Sequence, residues 1–441
     1  MRILLLTPGT GSFLCGSCTR DNMLTAALRR LGHDAQIVPL YLPFQLESAY
    51  EASSATGTST SEPVHMGGIN VYLQQLLPLL ARLPKFLRNW LDREALLRWA
   101  STKGDMTNPA ALGGMTISML QGEEGRQSAE IERLLVWLAD QPVPDLVLLS
   151  NAMLSGLARR LQEELHVPVL CTLQGEQPFL DALHLADSQR CWQILSERAR
   201  SIEGFVAVSQ YTAQLMTERM NLDPAKVHVV RNGIELDGYE SAANAPKAPT
   251  IGFLARMCPE KGLDTLVDAF LSLRNGGRVP GVQLVVVGVQ LPEDRKFVGK
   301  LERRIQKAGA QADVHFHANV SRAHKIALLQ SMSLLSVPAA YGESFGLYLL
   351  EAMACAVPVV QPRQSGFIEV VQGTGGGLLY DPEPSEGLVR ALEELLLDPE
   401  RARRLGVTGQ QAVQSDYSAD RMARDVAQVC AKLCADSSPA T

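Results

Sequence analysis

Short runs of apolar residues alternate with amphipathic stretches along most of the chain. In the first half, continuous apolar runs predict strands at 2–7, 35–40, 145–150, 168–173 and 204–209. The stretches between them, such as 21–31, 127–139 and 151–165, repeat apolar residues at helical spacing. Apolar strands separated by helices are typical of a parallel sheet covered on both faces. The first half therefore predicts a doubly wound α/β domain.

The same alternation restarts after 241–249, a small, polar, proline-bearing segment that we interpret as a linker. Strands are predicted at 250–255, 282–288, 313–318, 334–339 and 358–362, with helices at 263–275, 292–308, 321–332, 345–355 and 385–396. A chain of 441 residues also exceeds what one hydrophobic core usually organises. We therefore expect two Rossmann-like doubly wound domains facing a ligand cleft, 1–245 and 246–416, followed by an amphipathic helix at 417–436.

Residues 41–125 break the pattern, because they are too long for a simple connection. Within them, 65–80 carries a glycine pair that opens an amphipathic helix, either a displaced part of the acceptor or phosphate site or an ordinary helix cap. The segment 82–103 holds six basic and two acidic residues. It is expected either to rest on an anionic membrane near a lipid-linked acceptor or to pack on its own domain with a solvated basic face.

Charge, the N-terminal apolar run and the cysteines indicate which kind of protein this is. The net charge of −6 gives no overall indication of nucleic-acid binding. The apolar run at the N-terminus is too short for a secretory signal or a membrane span. Several of the eight cysteines lie in apolar segments, where a free thiol behaves as a small hydrophobe. We therefore expect a reduced, cytoplasmic globular protein.

The most informative chemistry lies in 338–360, which predicts a strand, a glycine-containing loop and a helix that begins near Ser344 or Phe345. Backbone N–H groups at a helix start suit a phosphate, and glycine lets an anion approach the backbone closely. The candidates for these contacts are Ser344, Phe345, Gly346 and Leu347. Glu343 lies just before the helix, at the expected mouth of the cleft.

Glu351 is the only charged residue in this otherwise apolar helix, which predicts a buried carboxylate. A buried carboxylate needs hydrogen-bond partners, and a ribose diol would supply two donors. The alternative is that Glu343 caps the helix and Glu351 pairs with a structural arginine. The position of both glutamates at a strand–loop–helix junction favours the ligand interpretation.

Two cations occupy the first strand–helix turn of the second domain. Arg256 and Lys261 lie in the loop between a predicted strand and a helix that starts near Gly262. Beside a helix N-terminus, two such cations would clamp a diphosphate, with arginine able to bind two oxygens at once. A loop with two basic residues is otherwise simply solvated.

Residues 252–369 resemble the donor half of the retaining family 4 glycosyltransferases, which have the GT-B fold. That family carries an R-x4-K loop and an E-x7-E motif, which stand here as Arg256/Lys261 and Glu343/Glu351. The segments 208–216 and 226–236 also resemble the family, so the similarity spans roughly 200–435. The combination of both motifs in this order is specific, whereas either alone is weak.

The resemblance implies transfer of a sugar from a nucleotide-diphosphate sugar, with retention, to an acceptor that is a sugar, a lipid-linked molecule or another small molecule. Arg256 and Lys261 would hold the diphosphate and offset the negative charge that grows on it. Glu343 would contact donor sugar hydroxyls near the anomeric carbon, and Glu351 the ribose hydroxyls. No metal or other cofactor is expected. The last helix is expected to cross back to the first domain.

On the acceptor side, Gly16 and Ser17 are the counterparts of a glycine-rich loop that similar enzymes place under the donor phosphates. Cys15 and Cys18 form a CxxC, compatible with structural thiols, a redox pair or a metal site. After the strand at 168–173, Gln174 and Glu176 are expected at the cleft, Glu176 orienting an acceptor hydroxyl. Many relatives have histidine–glycine where this chain has glutamine–glycine, which leaves a non-catalytic sugar-nucleotide-binding protein as one alternative function. A GT-B sugar-nucleotide epimerase is another, since it would share the fold and the diphosphate site.

Overall fold

The computed structural model describes residues 1–9, 16–41, 112–242, 246–383 and 386–437. Internal contacts divide the chain into one unit of Met1–Arg231 with Met422–Thr441 and a second unit of Asn232–Arg421. The expected boundary at 245 therefore lies inside the second unit. Just after the start of this unit, Ile234 forms a bridge with Ser418, and Ile234 N–H donates to the Tyr417 carbonyl at 2.9 Å.

The first unit is built on a parallel sheet of six strands within the described residues. The strands are β1 Arg2–Thr7, β2 Asp34–Pro39, β3 Leu146–Leu149, β4 Val169–Leu173, β5 Gly204–Ala207 and β6 Val227–Val229. Their order across the sheet is β2-β1-β3-β4-β5-β6. The first five follow the predicted apolar runs to within two residues. The pattern missed β6, which is short and only partly buried.

Helices connect these strands. They are α1 Gly16–Arg30, α2 Gly113–Leu120, α3 Ser128–Ala139, α4 Ala158–Leu165, α5 Gln177–Asp181, α6 Leu185–Arg198 and α7 Gln210–Met220. The predicted helix at 151–165 is divided, because Ala152–Leu157 forms a 3-10 helix before α4. The core of this unit lies between its helices and its sheet. All residues of strands β3, β4 and β5 are buried.

The second unit contains another parallel sheet of six strands within the described residues. The strands are β7 Thr250–Leu254, β8 Gln283–Gly288, β9 Val314–Ala318, β10 Leu334–Leu335, β11 Val359–Pro362 and β12 Gly377–Tyr380. The helices are α8 Leu263–Gly276, α9 Arg295–Lys307, α10 Arg322–Gln330, α11 Leu347–Ala354, α12 Ser365–Thr374, α13 Glu386–Leu397 and α14 Pro399–Asp416. The sheet order is β12-β11-β10-β7-β8-β9.

The last helix, α15, spans Ala419–Ser437, and from Met422 onward it belongs to the first unit. There Cys434 Sγ lies 3.4 Å from the Asp145 carbonyl, and Leu433 packs on Gly204 of β5. In the described part of the chain, no helix combines the length and apolar character that crossing a membrane requires.

Strand order shows where each sheet can receive a ligand. In the second sheet the chain leaves β7 toward β8 and β9, then returns on the other side of β7 at β10. The order reverses between β7 and β10, and ligands of open α/β sheets bind at the carboxyl ends of such strands. The loops after β7 and β10 carry Arg256, Lys261 and Glu343. The corresponding reversal in the first sheet lies between β1 and β3.

Candidate functional site

A partly buried ion pair lies beyond the carboxyl ends of β7 and β10. Lys261 Nζ is 2.5 Å from Glu343 Oε2, and the two side chains are only 17% and 14% exposed. The same Glu343 oxygen accepts a hydrogen bond of 3.0 Å from the Tyr348 hydroxyl. The ammonium also lies 5.3 Å and 5.6 Å from the ring centroids of Tyr341 and Tyr348. The structure therefore joins one residue of each sequence motif in a single cluster.

Electrostatics keep Lys261 charged in this cluster. Burial by itself lowers the pKa of Lys261, but the charge of Glu343, followed by Tyr341, outweighs it and raises the pKa above its ordinary value. Burial, followed by the charge of Glu343, raises the pKa of Tyr348 well above its ordinary value. At neutral pH Lys261 is accordingly an ammonium, and Tyr348 is a neutral phenol that donates to Glu343.

Arg256 is held by two other carboxylates. Its Nε and Nη2 bind Asp294 in a fork with two distances of 3.0 Å, and Nη2 also lies 2.9 Å from Glu293 Oε1. Both acids belong to the 3-10 turn Pro292–Asp294 that follows β8. They were not predicted, because the sequence pattern does not reveal that this turn meets the loop after β7. The Arg256 side chain remains 38% exposed, so it is accessible to solvent.

Cys258 lies between the two cations of the loop. Burial, followed by a hydrogen bond with Glu260, raises the pKa of Cys258 to about 12. Lys261 N–H lies 3.3 Å from the Cys258 carbonyl, which ties the two ends of the loop together. Arg256 and Lys261 therefore flank one thiol that stays protonated at neutral pH.

The helix of the glutamate motif begins later than predicted. It starts at Leu347, with Gly346 as its N-cap at φ 88°. A left-handed residue cannot continue a right-handed helix, so Ser344 and Phe345 lie in the preceding loop. The Phe345 side chain is buried beside Tyr417, with the ring centroids 6.3 Å apart. Helix N–H groups therefore begin at Leu347, and Glu343, three residues before the Gly346 N-cap, is not the cap that the alternative interpretation assigned to it.

A second loop fixes the backbone of Glu343. Its N–H donates to Ser365 Oγ at 3.0 Å, and its carbonyl accepts from Gly366 N–H at 2.9 Å. A Cβ on Gly366 would lie 2.3 Å from the Ser344 carbonyl oxygen, so only glycine permits this approach. The start of α12 thus positions Glu343 within the loop between β10 and α11.

Glu351 lies on α11 but has different partners. Its Oε1 accepts hydrogen bonds from the Tyr239 hydroxyl at 2.6 Å and from Lys325 Nζ at 2.8 Å. The Glu351 side chain is 18% exposed. A buried carboxylate with hydrogen-bond donors was expected, whereas the structural arginine of the alternative interpretation is replaced by lysine and tyrosine. Tyr348, which donates to Glu343, lies three residues before Glu351 on α11.

The candidates around β1 are only partly described. Gly16 and Ser17 open α1, and a Cβ on Gly16 would meet no described atom within 4 Å. Cys15 and residues 10–14 lie outside the described residues, as do 65–80 and 82–103. Cys18 is buried, with its Sγ 3.7 Å from Thr7 Oγ1. The roles assigned to Gly16, Ser17 and the CxxC stay predictions.

The carboxylate of Glu176, in the loop after β4, is hydrogen-bonded within the protein. Glu176 is 7% exposed and accepts from the N–H groups of Ala152, Gln174 and Gly175 at 2.9 to 3.2 Å. Burial raises the pKa of Glu176, and these hydrogen bonds lower it in part. Glu176 was expected at the cleft, orienting an acceptor hydroxyl. In the structure its carboxylate binds backbone N–H groups of its own loop and of Ala152.

Gln174 joins a buried network at the switch point of the first sheet. Its Nε2 donates to Asp21 Oδ1 at 3.2 Å and to the Ser150 carbonyl at 2.7 Å. Asp21 is fully buried beside Arg20, with a distance of 3.0 Å between Oδ1 and Arg20 Nη1. This network links α1, the end of β3 and the end of β4, and no sequence pattern pointed to Arg20 or Asp21.

Gly262 sets the geometry of the cationic loop. It has φ 69°, and a Cβ there would lie 1.8 Å from the Pro338 carbonyl oxygen. Gly277 has nearly the same φ, 68°, with no atom within 4 Å of its Cβ. We expect Gly277→Ala to lower the unfolding free energy by about 1–2 kcal/mol, and Gly262→Ala by clearly more, because a steric clash adds to the left-handed strain. Urea unfolding of both variants measures the difference, and equal losses would contradict the close approach to Pro338.

Comparison with known proteins places both halves of the chain in one family. The model for Glycosyltransferase Family 4 matches residues 117–237, and the model for Glycosyl transferases group 1 matches residues 240–412. Alpha-maltose-1-phosphate synthase of Mycolicibacterium smegmatis is 31% identical over 234 residues, which are 48% of this chain and 59% of that protein. This chain thus spans little more than half the length of that relative.

Two further proteins are similar over most of the chain. A GDP-mannose-dependent alpha-(1-6)-phosphatidylinositol monomannoside mannosyltransferase of Mycobacterium tuberculosis is 26% identical over 83% of this chain and 94% of its own length. The crystal structure of HepE of Anabaena in complex with UDP has a TM-score of 0.68 at 17% identity, covering 98% of this chain and 100% of that one. The structural likeness shows the fold. Because the two family models match adjoining segments, the chain belongs to the family 4 glycosyltransferases and has the GT-B fold.

Proposed function

We propose that the protein transfers a hexose or related sugar from a nucleotide-diphosphate sugar to an acceptor, with retention of the anomeric configuration. The observation that carries the proposal is the partly buried Lys261–Glu343 pair at the strand-order reversal of the second sheet. It combines a permanent cation for a phosphate with a carboxylate for sugar hydroxyls. The acceptor is a sugar, a lipid-linked molecule or another small molecule.

The names of similar proteins support this donor class. HepE has been crystallised with UDP and with UDP-glucose, and the mannosyltransferase relative is described as GDP-mannose-dependent. Donors of this kind carry a diphosphate between a ribose and a sugar. The site offers groups for all three parts: Lys261 and Arg256 for the diphosphate, Glu343 for the sugar and Glu351 for the ribose.

The mechanism follows from where charge develops. Glycosyl transfer passes through an oxocarbenium-like transition state, while negative charge grows on the leaving diphosphate. Lys261 and the solvent-accessible Arg256 side chain offset that negative charge. The free N–H groups at the start of α11 stabilise it further. We propose that these groups suffice without a metal or other cofactor, and that the leaving phosphate accepts the acceptor proton.

Glu343 acts as a positioning and electrostatic residue in this proposal. When Lys261 turns toward the diphosphate, the carboxylate keeps the hydrogen bond from Tyr348 and gains room for a sugar hydroxyl. Its negative charge then lies beside the sugar whose anomeric carbon becomes positive. Asp294 and Glu293 hold Arg256 in a fixed orientation until phosphate oxygens replace part of their contact.

A thermal-shift panel of UDP-, GDP- and ADP-sugars tests the donor. A nucleotide at 100 times its Kd stabilises the native state by about 2.7 kcal/mol, which raises Tm by roughly 5–10 °C for a chain with units of this size. We expect one nucleotide class to give this rise, with glucose 1-phosphate and ATP as controls. If no nucleoside diphosphate sugar raises Tm, the proposal is wrong.

Product analysis separates the competing functions. A transferase releases nucleoside diphosphate in proportion to acceptor, or slowly by donor hydrolysis when none is present. An epimerase changes the donor sugar without acceptor-dependent release. A non-catalytic binding protein shows the thermal shift but neither transfer nor hydrolysis.

A further inference from the structure

One oxygen of the Glu351 carboxylate is fully used within the protein. Tyr239 and Lys325 both donate to Oε1, at 2.6 Å and 2.8 Å. A carboxylate oxygen has two lone pairs, so these two donors satisfy it. Among the described residues, none donates to Oε2. The two carboxylate oxygens of Glu351 therefore differ: Oε1 is hydrogen-bonded within the protein, and Oε2 is available to a ligand.

Tyr239 is held in place by a dedicated turn. Its N–H donates to the Leu236 carbonyl at 3.0 Å, and the preceding Gly238 takes φ 78°. Arg322 of α10 clamps this turn from outside, donating to the Asp237 carbonyl at 2.6 Å. Its guanidinium also lies 5.0 Å from the centroid of the Tyr239 ring. The phenol hydroxyl thus reaches Glu351 from a rigid support.

Lys325 lies on the same helix as Arg322, α10. It lies three residues after Arg322, so both side chains project from neighbouring positions of α10. The Lys325 side chain is 13% exposed and balances the charge of Glu351. Because this charge is already neutralised, Oε2 gains little from a cationic ligand. A neutral hydroxyl donor is the chemistry that fits it.

We propose that Tyr239 and Lys325 are positioning residues, which fix Oε1 of Glu351 and leave Oε2 to accept a hydrogen bond from a ribose hydroxyl of the nucleotide. This inference rests on the proposed function, since it assigns a partner to the ribose-facing carboxylate. It explains why Glu351 is tolerated in an otherwise apolar helix. It also predicts that discrimination for ribose depends on residues that never touch the nucleotide.

Isothermal titration calorimetry with UDP, GDP and their 2′,3′-dideoxy analogues tests this arrangement. Wild-type protein is expected to bind the ribonucleotide about tenfold or more tightly than its dideoxy analogue. Tyr239→Phe and Lys325→Met should each weaken ribonucleotide binding about tenfold and leave dideoxy binding unchanged. Lys307→Met, at the exposed end of α9, is the matched control and should change neither.

The possible outcomes distinguish a failure of the positioning inference from a failure of the proposed function. Equal weakening of both nucleotides by Tyr239→Phe and Lys325→Met would indicate a merely structural role and overturn the positioning inference. Equal wild-type affinity for ribonucleotide and dideoxy analogue would remove the ribose contact while nucleotide binding stands. If neither UDP nor GDP binds wild-type protein, the fault lies with the proposed function itself.

Discussion

Replacing Lys261 by methionine is expected to lower the turnover of sugar transfer by about 10²–10³-fold. The ammonium is less exposed than the Arg256 side chain and, in the proposed mechanism, stands where negative charge grows on the leaving diphosphate; removal of one such group commonly has this effect. Nucleotide affinity should also fall, because the product diphosphate carries the same charge. Steady-state kinetics with the donor identified by thermal shift, together with calorimetry of the free nucleotide, measure both changes.

Folding of this variant must be checked at neutral pH. The pKa of Lys261 is raised in the folded state, so its stabilising contribution is fully present below the unfolded pKa of about 10.5 and is lost as pH rises through the folded value. Lys261→Met therefore loses the whole contribution at pH 7, and some fall in Tm is expected. Lys307→Met should match wild type in turnover and Tm. Wild-type turnover in folded Lys261→Met would exclude Lys261 from the reaction.

Glu343→Gln is expected to lower turnover by about 10²-fold while nucleotide affinity stays close to that of wild type. Glutamine keeps the shape of the side chain and an acceptor for the Tyr348 hydroxyl, but it removes the negative charge beside the forming oxocarbenium ion. Lys261 also loses its partner and is freer to bind diphosphate. The expected signature is therefore a fall in kcat with an unchanged or slightly lower Kd for nucleotide.

A matched control for this variant is Glu302→Gln, an exposed carboxylate on α9. It should change neither kcat nor nucleotide affinity. Near-normal turnover of Glu343→Gln would remove Glu343 from the mechanism. Parallel losses in turnover and nucleotide affinity would instead indicate that its main task is to position Lys261.

The two variants distinguish the partners of one ion pair. Loss of the cation should affect the bound diphosphate in both ground and transition states, whereas loss of the anion should affect chiefly the transition state. A double variant is expected to be less than additive, because the residues are in direct contact.

The sequence by itself determined the fold class and the residues of both motifs. Parallel strands buried on both faces are continuous apolar runs, and these can be read without knowledge of their neighbours. The pattern therefore located strands such as β1, β7 and β8 almost to the residue. It also placed Lys261 and Glu343 after strands of one sheet, which is why their meeting was foreseeable.

The partners of those residues were decided only by the tertiary structure. Tyr239 precedes Glu351 by 112 residues, and Asp294 follows Arg256 by 38 residues. Which side chains meet across such separations depends on strand order and on how each loop leaves its strand, and periodicity contains neither. The helix start at Leu347 depends on the left-handed backbone of Gly346. Local pattern thus determined which residues lie at the sheet edge, and packing between distant segments decided what each of them contacts.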